Sequence, residues 1–399
     1  MPLGRESILI AIGAACCLGV SFQLLLAWLQ QLEQPLRGRR SIWSALCGLS
    51  IAKQSQAVNG VAGLIGNTPL VRIQSLSELT GCEILAKAEM LNPGGSVKDR
   101  VALQVVQEAL AEGRLRPGGL ITEGTAGSTG VSLAVVAAAA GCRCSIVMPD
   151  DAAIEKSQLL SALGAKVERV RPVSITHPGH FVNVARKDAA MEPGTAVFAD
   201  QFENQANFRA HLKTGEEIWR QTGGRLDAFV SGAGTGGTIA GVSHALKARD
   251  PSIQVMLIDP PGSSLFNKVK RGVLYTRHEA EGKRLKNPFD TITEGVGINR
   301  ITANFSCAKI DDAFQGTDRE AVEMAQYLLR NDGLFVGSSA AMNCVGAVKG
   351  ARMLGSGHTI VTVLCDGGHR HLSKFHNQEY LAQCGLTPEH EGRELTFVL

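Results

Sequence analysis

From residue 59 onward, short runs rich in β-branched residues alternate with Ala-rich stretches whose apolar positions repeat at helical spacing. Strands are expected over residues 71–73, 83–89, 120–123, 143–148, 166–170, 228–231, 254–258 and 359–364. Helices are expected over 97–112, 130–140, 154–163, 208–222, 238–248 and 318–331, the first of them stopped by Gly113. Such alternation specifies an α/β fold with parallel sheets covered on both faces by helices. No fixed-period repeat is visible.

Residues 7–29 break this pattern, because 23 consecutive positions carry no charge. A run of that length can span a bilayer as a helix. It ends in Trp28 followed by Gln30, Gln31 and Glu33, with no short apolar core and small-residue cleavage site, so an uncleaved anchor is expected rather than a signal peptide. Arg5 ahead of the span is offset by Glu6, whereas Arg37, Arg39 and Arg40 follow it, which places the C-terminal part in the cytosol. The chain thus divides into a tail (1–6), an anchor (7–29), a linker (30–58) and a catalytic region (59–399). The anchor is diluted by Gly13, Gly19, Ser21 and Gln23 and has a basic C-terminal flank. It resembles signal anchors of the mitochondrial outer membrane more than the stronger spans of the secretory pathway.

At 399 residues the chain exceeds one ordinary core, so two lobes are expected. Forty basic against 37 acidic residues, with no long basic block, give no electrostatic footprint for nucleic acid. Ten cysteines lie scattered in apolar runs without metal-ligand spacing and read as mostly reduced, buried thiols of an intracellular protein. His369 and His371 flank an arginine with no third ligand nearby, so no metal site is expected there.

In parallel sheets ligands bind where strand ends turn into helices. Three Gly-rich turns occupy such places. Ser231-Gly232-Ala233-Gly234-Thr235-Gly236-Gly237-Thr238 follows an apolar strand and opens a helix. Its glycines let backbone N–H groups approach a phosphate, and Thr235 and Thr238 add hydroxyls. Gly232, Gly234 and Gly237, with Asp259 22 residues further on, also satisfy the dinucleotide fingerprint. A second turn, Asn92-Pro93-Gly94-Gly95-Ser96-Val97-Lys98, delivers a lysine to a helix N-terminus, where the dipole favours the neutral amine needed for imine formation. A third, Thr125-Ala126-Gly127-Ser128-Thr129-Gly130, is another anion-binding turn. A phosphate cradle, an amine and a separate carboxylate-sized site together suit pyridoxal phosphate acting on an amino acid.

Gly66-Asn67-Thr68-Pro69-Leu70, Ser96-Val97-Lys98-Asp99-Arg100 and Gly234-Thr235-Gly236-Gly237-Thr238 resemble the cysteine synthase and cystathionine β-synthase family, in its order and near its spacing from about residue 60 to 376. These are fold type II pyridoxal phosphate enzymes, tryptophan synthase β-like, with two lobes. The resemblance implies that Lys98 binds the cofactor as an imine and acts as catalytic base, and that Gly234, Thr235, Gly236, Gly237 and Thr238 hold the phosphate. It also implies that Ser339 faces the pyridine nitrogen and that Thr125, Ala126, Gly127, Ser128, Thr129 and Gln201 receive the substrate carboxylate. Two departures stand out. Ser128 occupies the place of an asparagine that contacts the cofactor oxygen in the family, so its shorter hydroxyl reaches that oxygen only if the loop or a water moves in. Residues 259–289 are longer and more basic than in bacterial relatives. With the anchor, these features look like membrane-anchored fungal members.

The resemblance further implies a homodimer, a smaller mobile lobe near residues 98–201, and β-replacement through an aminoacrylate that converts O-acetyl-L-serine and sulfide to L-cysteine. Condensation of serine with homocysteine is the first alternative, set back because no regulatory domain pair follows residue 376. A non-catalytic, membrane-tethered scaffold that still binds the cofactor is the second.

Overall fold

The computed structural model describes residues 57–125, 127–152, 154–276 and 291–399. The span expected over 7–29, its linker and its orientation lie outside the described residues, as do Ala126 and most of the basic stretch near 280. Among the described residues no helix is long and apolar enough to cross a membrane.

The described strands are β1 (Leu70–Arg72), β2 (Glu83–Ala88), β3 (Leu120–Gly124), β4 (Arg143–Pro149), β5 (Lys166–Val170), β6 (Ala196–Phe198), β7 (Ala228–Ser231), β8 (Gln254–Asp259), β9 (Asp312–Gln315) and β10 (Thr359–Leu364). They form two sheets, ordered β1-β2-β10-β7-β8-β9 and β5-β4-β3-β6. The smaller sheet is parallel throughout, with Ile121 opposite both Cys144 and Val197. The larger is parallel except at its edge, where β1 runs antiparallel to β2. That edge corrects the expectation of purely parallel sheets. Only the short helix Gln74–Thr80 and its flanks join β1 to β2, too little chain for a parallel crossover.

Each sheet has its own apolar core. Ile121, Ile146, Met148, Leu133 and Val105 pack together around the smaller sheet. Ile84, Val230, Ile258, Met342 and Ile360 pack around the larger one. The helix Ser338–Leu354 escaped the sequence reading because it is buried on nearly every side and so carries no amphipathic period. Its glycines explain how it fits: a Cβ on Gly346 would stand 2.7 Å from Cβ of Ile258 on the sheet beneath. The helix Asp318–Asp332, by contrast, announces both ends. Thr317 and Glu320 form a capping box, and Gly333 closes the helix in the left-handed conformation. Strands β6 and β9, of three and four residues, are too short to leave a periodic signal.

Beneath the helix Lys98–Ala111 lies a cluster of buried charge. The Arg100 guanidinium donates to Glu89 (2.7 and 2.9 Å) and to Glu217 (2.7 and 2.8 Å). Lys87 donates to Glu217 and to the Thr68 carbonyl, both at 2.6 Å. Two cations thus face two carboxylates, and Thr68 and Asn92 donate to the same two Glu89 oxygens. Burial works against charge on Arg100 and Glu217, but their mutual hydrogen bonds outweigh it. Arg100 is held above its ordinary pKa, and Glu217 is held down to about 2. Removing one member would strand the others. Arg100→Met should therefore cost about 3–5 kcal/mol of stability, read as a lowered urea midpoint at unchanged slope.

Candidate active site

A cavity of about 560 Å³ opens at the strand ends of the larger sheet, a volume suited to a cofactor with a small substrate. Lys98, Thr125, Gly127, Ser128, Thr129, Gln201, Gly234, Thr235, Gly236, Thr238 and Ser339 all line it. The three turns read from the sequence, separated along the chain by up to about 140 residues, therefore converge on one space. Of the expected site residues, Gly237 is buried just behind the wall, and Ala126 lies outside the described residues.

Lys98 is fixed by its neighbours on both sides. Asp99 accepts hydrogen bonds from Ser132 and from the Gly94 amide, and Arg100 is locked in the charge cluster. The preceding turn is tied to the end of β10 by the Val97 amide, which donates to the Cys365 carbonyl at 2.8 Å. Burial lowers the pKa of the Lys98 amine, against the smaller opposing pull of Cys365 and Asp366. Desolvation therefore favours the neutral amine that the sequence reading attributed to the helix dipole.

The phosphate turn is shaped by what cannot fit on it. A Cβ on Gly234 would lie 2.4 Å from the Gly295 carbonyl oxygen, and one on Gly237 would lie 1.9 Å from Oδ1 of Asn207. Gly236 adopts φ +84°, which a side chain would strain. With no side chains over them, the backbone N–H groups at the start of the helix Gly237–Arg249 can accept an anion, and the Thr235 and Thr238 hydroxyls flank them. Behind Thr238 stands His211, which was not singled out in the sequence. Its Nε2 lies 3.2 Å from the Thr238 hydroxyl and its Nδ1 3.1 Å from that of Thr214. Burial, reinforced by Arg100 and Lys98, lowers the His211 pKa and keeps the ring neutral. Asn207, also unread in the sequence, donates to the Gln201 carbonyl (2.9 Å) and the Thr235 hydroxyl (2.8 Å), joining two parts of the site. A single His or Asn on an amphipathic helix gives no local signal of such a role.

The third turn opens the helix Ser128–Ala139, where Thr129 donates to Oε1 of Gln201 at 2.6 Å. Ser128, at the family asparagine position, has its hydroxyl 3.5 Å from Oδ2 of Asp366. His371 is buried beside that carboxylate, while the exposed His369 packs edge-on against Phe335; among the described residues no group of metal ligands is present. Asp259 is not a ribose ligand: its Oδ2 accepts from the Phe266 amide at 2.7 Å, and burial pushes its pKa up to about 7.

Residues 61–366 match the family described as pyridoxal-phosphate dependent enzyme. The chain belongs to that family. It is 55% identical over 347 residues to cysteine synthase 2 of Schizosaccharomyces pombe, covering 84% of this chain and 88% of the relative. A Saccharomyces cerevisiae relative, whose name includes the words "mitochondrial cysteine synthase", is 51% identical over 79% of this chain and 83% of its own length. Among solved structures, O-acetylserine sulfhydrylase isoform 3 of Entamoeba histolytica superposes with a TM-score of 0.72 at 28% identity, covering 87% of this chain and 97% of that one. The residues around the cavity fit pyridoxal phosphate: an uncovered phosphate cradle, a desolvated amine and a buried serine hydroxyl face one space.

Glu123, at the end of β3, underlies the third turn. Its carboxyl accepts from the Gly124 amide (3.0 Å) and the Gln201 amide (3.1 Å), yet burial outweighs both and pushes its pKa up to about 8. The folded protein therefore binds a proton there that the unfolded chain releases. The resulting stability is complete below the unfolded value and is lost as pH rises through about 8. Wild type should accordingly lose a few kcal/mol of stability relative to Glu123→Gln between pH 5 and 8, measured by denaturant titration of both proteins at each pH.

Proposed function

We propose that this chain forms L-cysteine from O-acetyl-L-serine and sulfide with pyridoxal 5'-phosphate as cofactor. The observation that carries the reading is the desolvated Lys98 amine in a cavity shared by a phosphate cradle and a separate anion-binding turn. When bound, the cofactor supplies an electron sink that weakens the substrate Cα–H bond and lets a group leave Cβ.

The protein's own residues supply the rest. Gly234, Thr235, Gly236, Gly237 and Thr238 hold the phosphate by backbone N–H groups and hydroxyls, with neutral His211 orienting Thr238. Ser339 offers the ring nitrogen a hydroxyl instead of a carboxylate, which leaves that nitrogen largely unprotonated and favours elimination over racemisation. Thr125, Ala126, Gly127, Ser128 and Thr129, at a helix N-terminus and tied to Gln201, take the substrate carboxylate. Lys98 Nζ removes the Cα proton and later returns it, a role that requires the unprotonated amine. Residues from about 98 to 201 form the smaller lobe and move against the rest as substrate enters and leaves, and the chain works as a homodimer. Lys98→Ala should lose the visible absorbance of the lysine-bound cofactor and lower cysteine formation by 10³-fold or more, on the order expected for loss of covalent attachment and base together. A variant that retains both would overturn the assignment. Productive turnover of serine with homocysteine, in place of O-acetylserine with sulfide, would redirect it.

Residues 7–29 anchor the protein in the mitochondrial outer membrane, with the catalytic region facing the cytosol. The support is the uncharged run with its basic C-terminal flank, together with the mitochondrial name of the yeast relative. Protease added to intact mitochondria should degrade the catalytic region while matrix proteins survive; protection until the membranes are ruptured would defeat this placement.

A further inference from the structure

A second set of ionisable side chains lines the cavity and has no part in the steps assigned above. His371, only 6% exposed, places Nε2 3.0 Å from Oδ2 of Asp366 and Nδ1 3.6 Å from Oε2 of Glu294. Glu294 in turn accepts from Lys156 at 2.6 Å. Side-chain exposure is 6% and 10% at His371 and Asp366 but 34% at Glu294 and 19% at Lys156. All four residues line the cavity, so a continuous polar path leads from its buried wall to its more exposed rim.

The inner end is built with care. A Cβ on Gly337 would stand 2.0 Å from Oδ1 of Asp366 and 2.6 Å from Nε2 of His371, so the pair occupies the space a side chain would need there. Oδ1 of Asp366 is buried and, among the described residues, has no hydrogen-bond donor, while Oδ2 takes the imidazole and lies next to the Ser128 hydroxyl. The other charged or titratable groups around the pair are Lys98, Cys365, Arg370 and His376. Lys98 is already committed to the Cα proton, and burial pushes the Cys365 thiol up to about 11.

Formation of cysteine from un-ionised hydrogen sulfide needs a second proton acceptor, because one S–H bond must break as the C–S bond forms. We propose that Asp366, positioned by His371, is the catalytic base for the sulfur nucleophile and that Glu294 passes the proton to solvent at the cavity rim. The proposal rests on the cysteine-forming activity argued above. In the balanced step, hydrogen sulfide gives a proton to the Asp366 carboxylate and the sulfur electron pair forms the bond to Cβ, from which acetate has already left with its bonding pair. The proton then moves through the imidazole to Glu294 and to water. A nucleophile that arrives already ionised has no proton to give and does not use the path.

That asymmetry supplies the test. Full-length, cofactor-loaded wild type, His371→Asn and Glu294→Gln are compared with O-acetylserine and either sulfide, at a pH where it is largely un-ionised, or thionitrobenzoate, a thiolate at the same pH. The cofactor absorbance confirms equal loading. His371→Asn should lower kcat/KM for sulfide by about 10²-fold and should lower it for thionitrobenzoate at least about tenfold less. The deficit with sulfide should fade as pH is raised and solvent performs the ionisation. Glu294→Gln, nearer the surface, should show the same selectivity with a loss of a few fold, and it decides the matter if His371→Asn fails to load cofactor. Equal losses with both nucleophiles, or a sulfide deficit that does not change with pH, would mean a merely structural pair and overturn the proposal. No loss with either nucleophile would overturn it as well. Wild type that makes no product with either nucleophile fails earlier, at the activity itself.

Discussion

The site depends on a constraint just behind it: the buried Arg100, Lys87, Glu89 and Glu217 cluster that fixes the start of the helix Lys98–Ala111. Charges this deeply buried are tolerated only when matched and hydrogen-bonded, because desolvation penalises each one separately. The match requires that β2, the loop before β1, the helix of Lys98 and the helix Ala206–Gln221 all meet at one point. Lys98 inherits its position from that meeting. Among the described residues its own amine makes no salt bridge, and burial in the same interior lowers its pKa against the smaller pull of Asp366.

The cavity follows a similar logic of omission. Strand ends contribute turns whose glycines are packed too closely against Gly295, Phe305 and Asn207 for any side chain, so backbone N–H groups become the lining. Neutral hydroxyls and amides then connect the parts. Asn207 bridges Gln201 and Thr235, and His211 stands behind Thr238 without adding charge. An anionic cofactor and an anionic substrate group can thus be bound in one cavity by dipoles at two separate helix starts.

The replacement of the family asparagine by Ser128 looks different in this setting. The shorter side chain leaves its hydroxyl beside Asp366, which is itself held by His371. The change at residue 128 and the histidine at 371 therefore belong to one neighbourhood, although 243 residues separate them in the chain. Asp366 thus joins the turn at residue 128 to the groups that lead to the cavity rim.

The sequence by itself determined the α/β alternation, most strand positions to within a residue, and the turns that carry the cofactor chemistry, because Gly-rich turns and a lysine before a helix act locally. Strand Lys166–Val170 and strand Thr359–Leu364 were legible from β-branched runs bounded by turn residues. The buried helix Ser338–Leu354 was not, since a helix covered on nearly every side has no polar face to mark its period. The antiparallel edge strand was missed because its direction is set by the length of a connection and not by its composition. His211, Asn207 and Glu123 were invisible for a related reason. Their roles come from partners 27 to 78 residues away, or from burial that turns an ordinary carboxyl into one titrating near pH 8. Desolvation is a property of the assembled interior, and only the tertiary structure decides which side chains experience it.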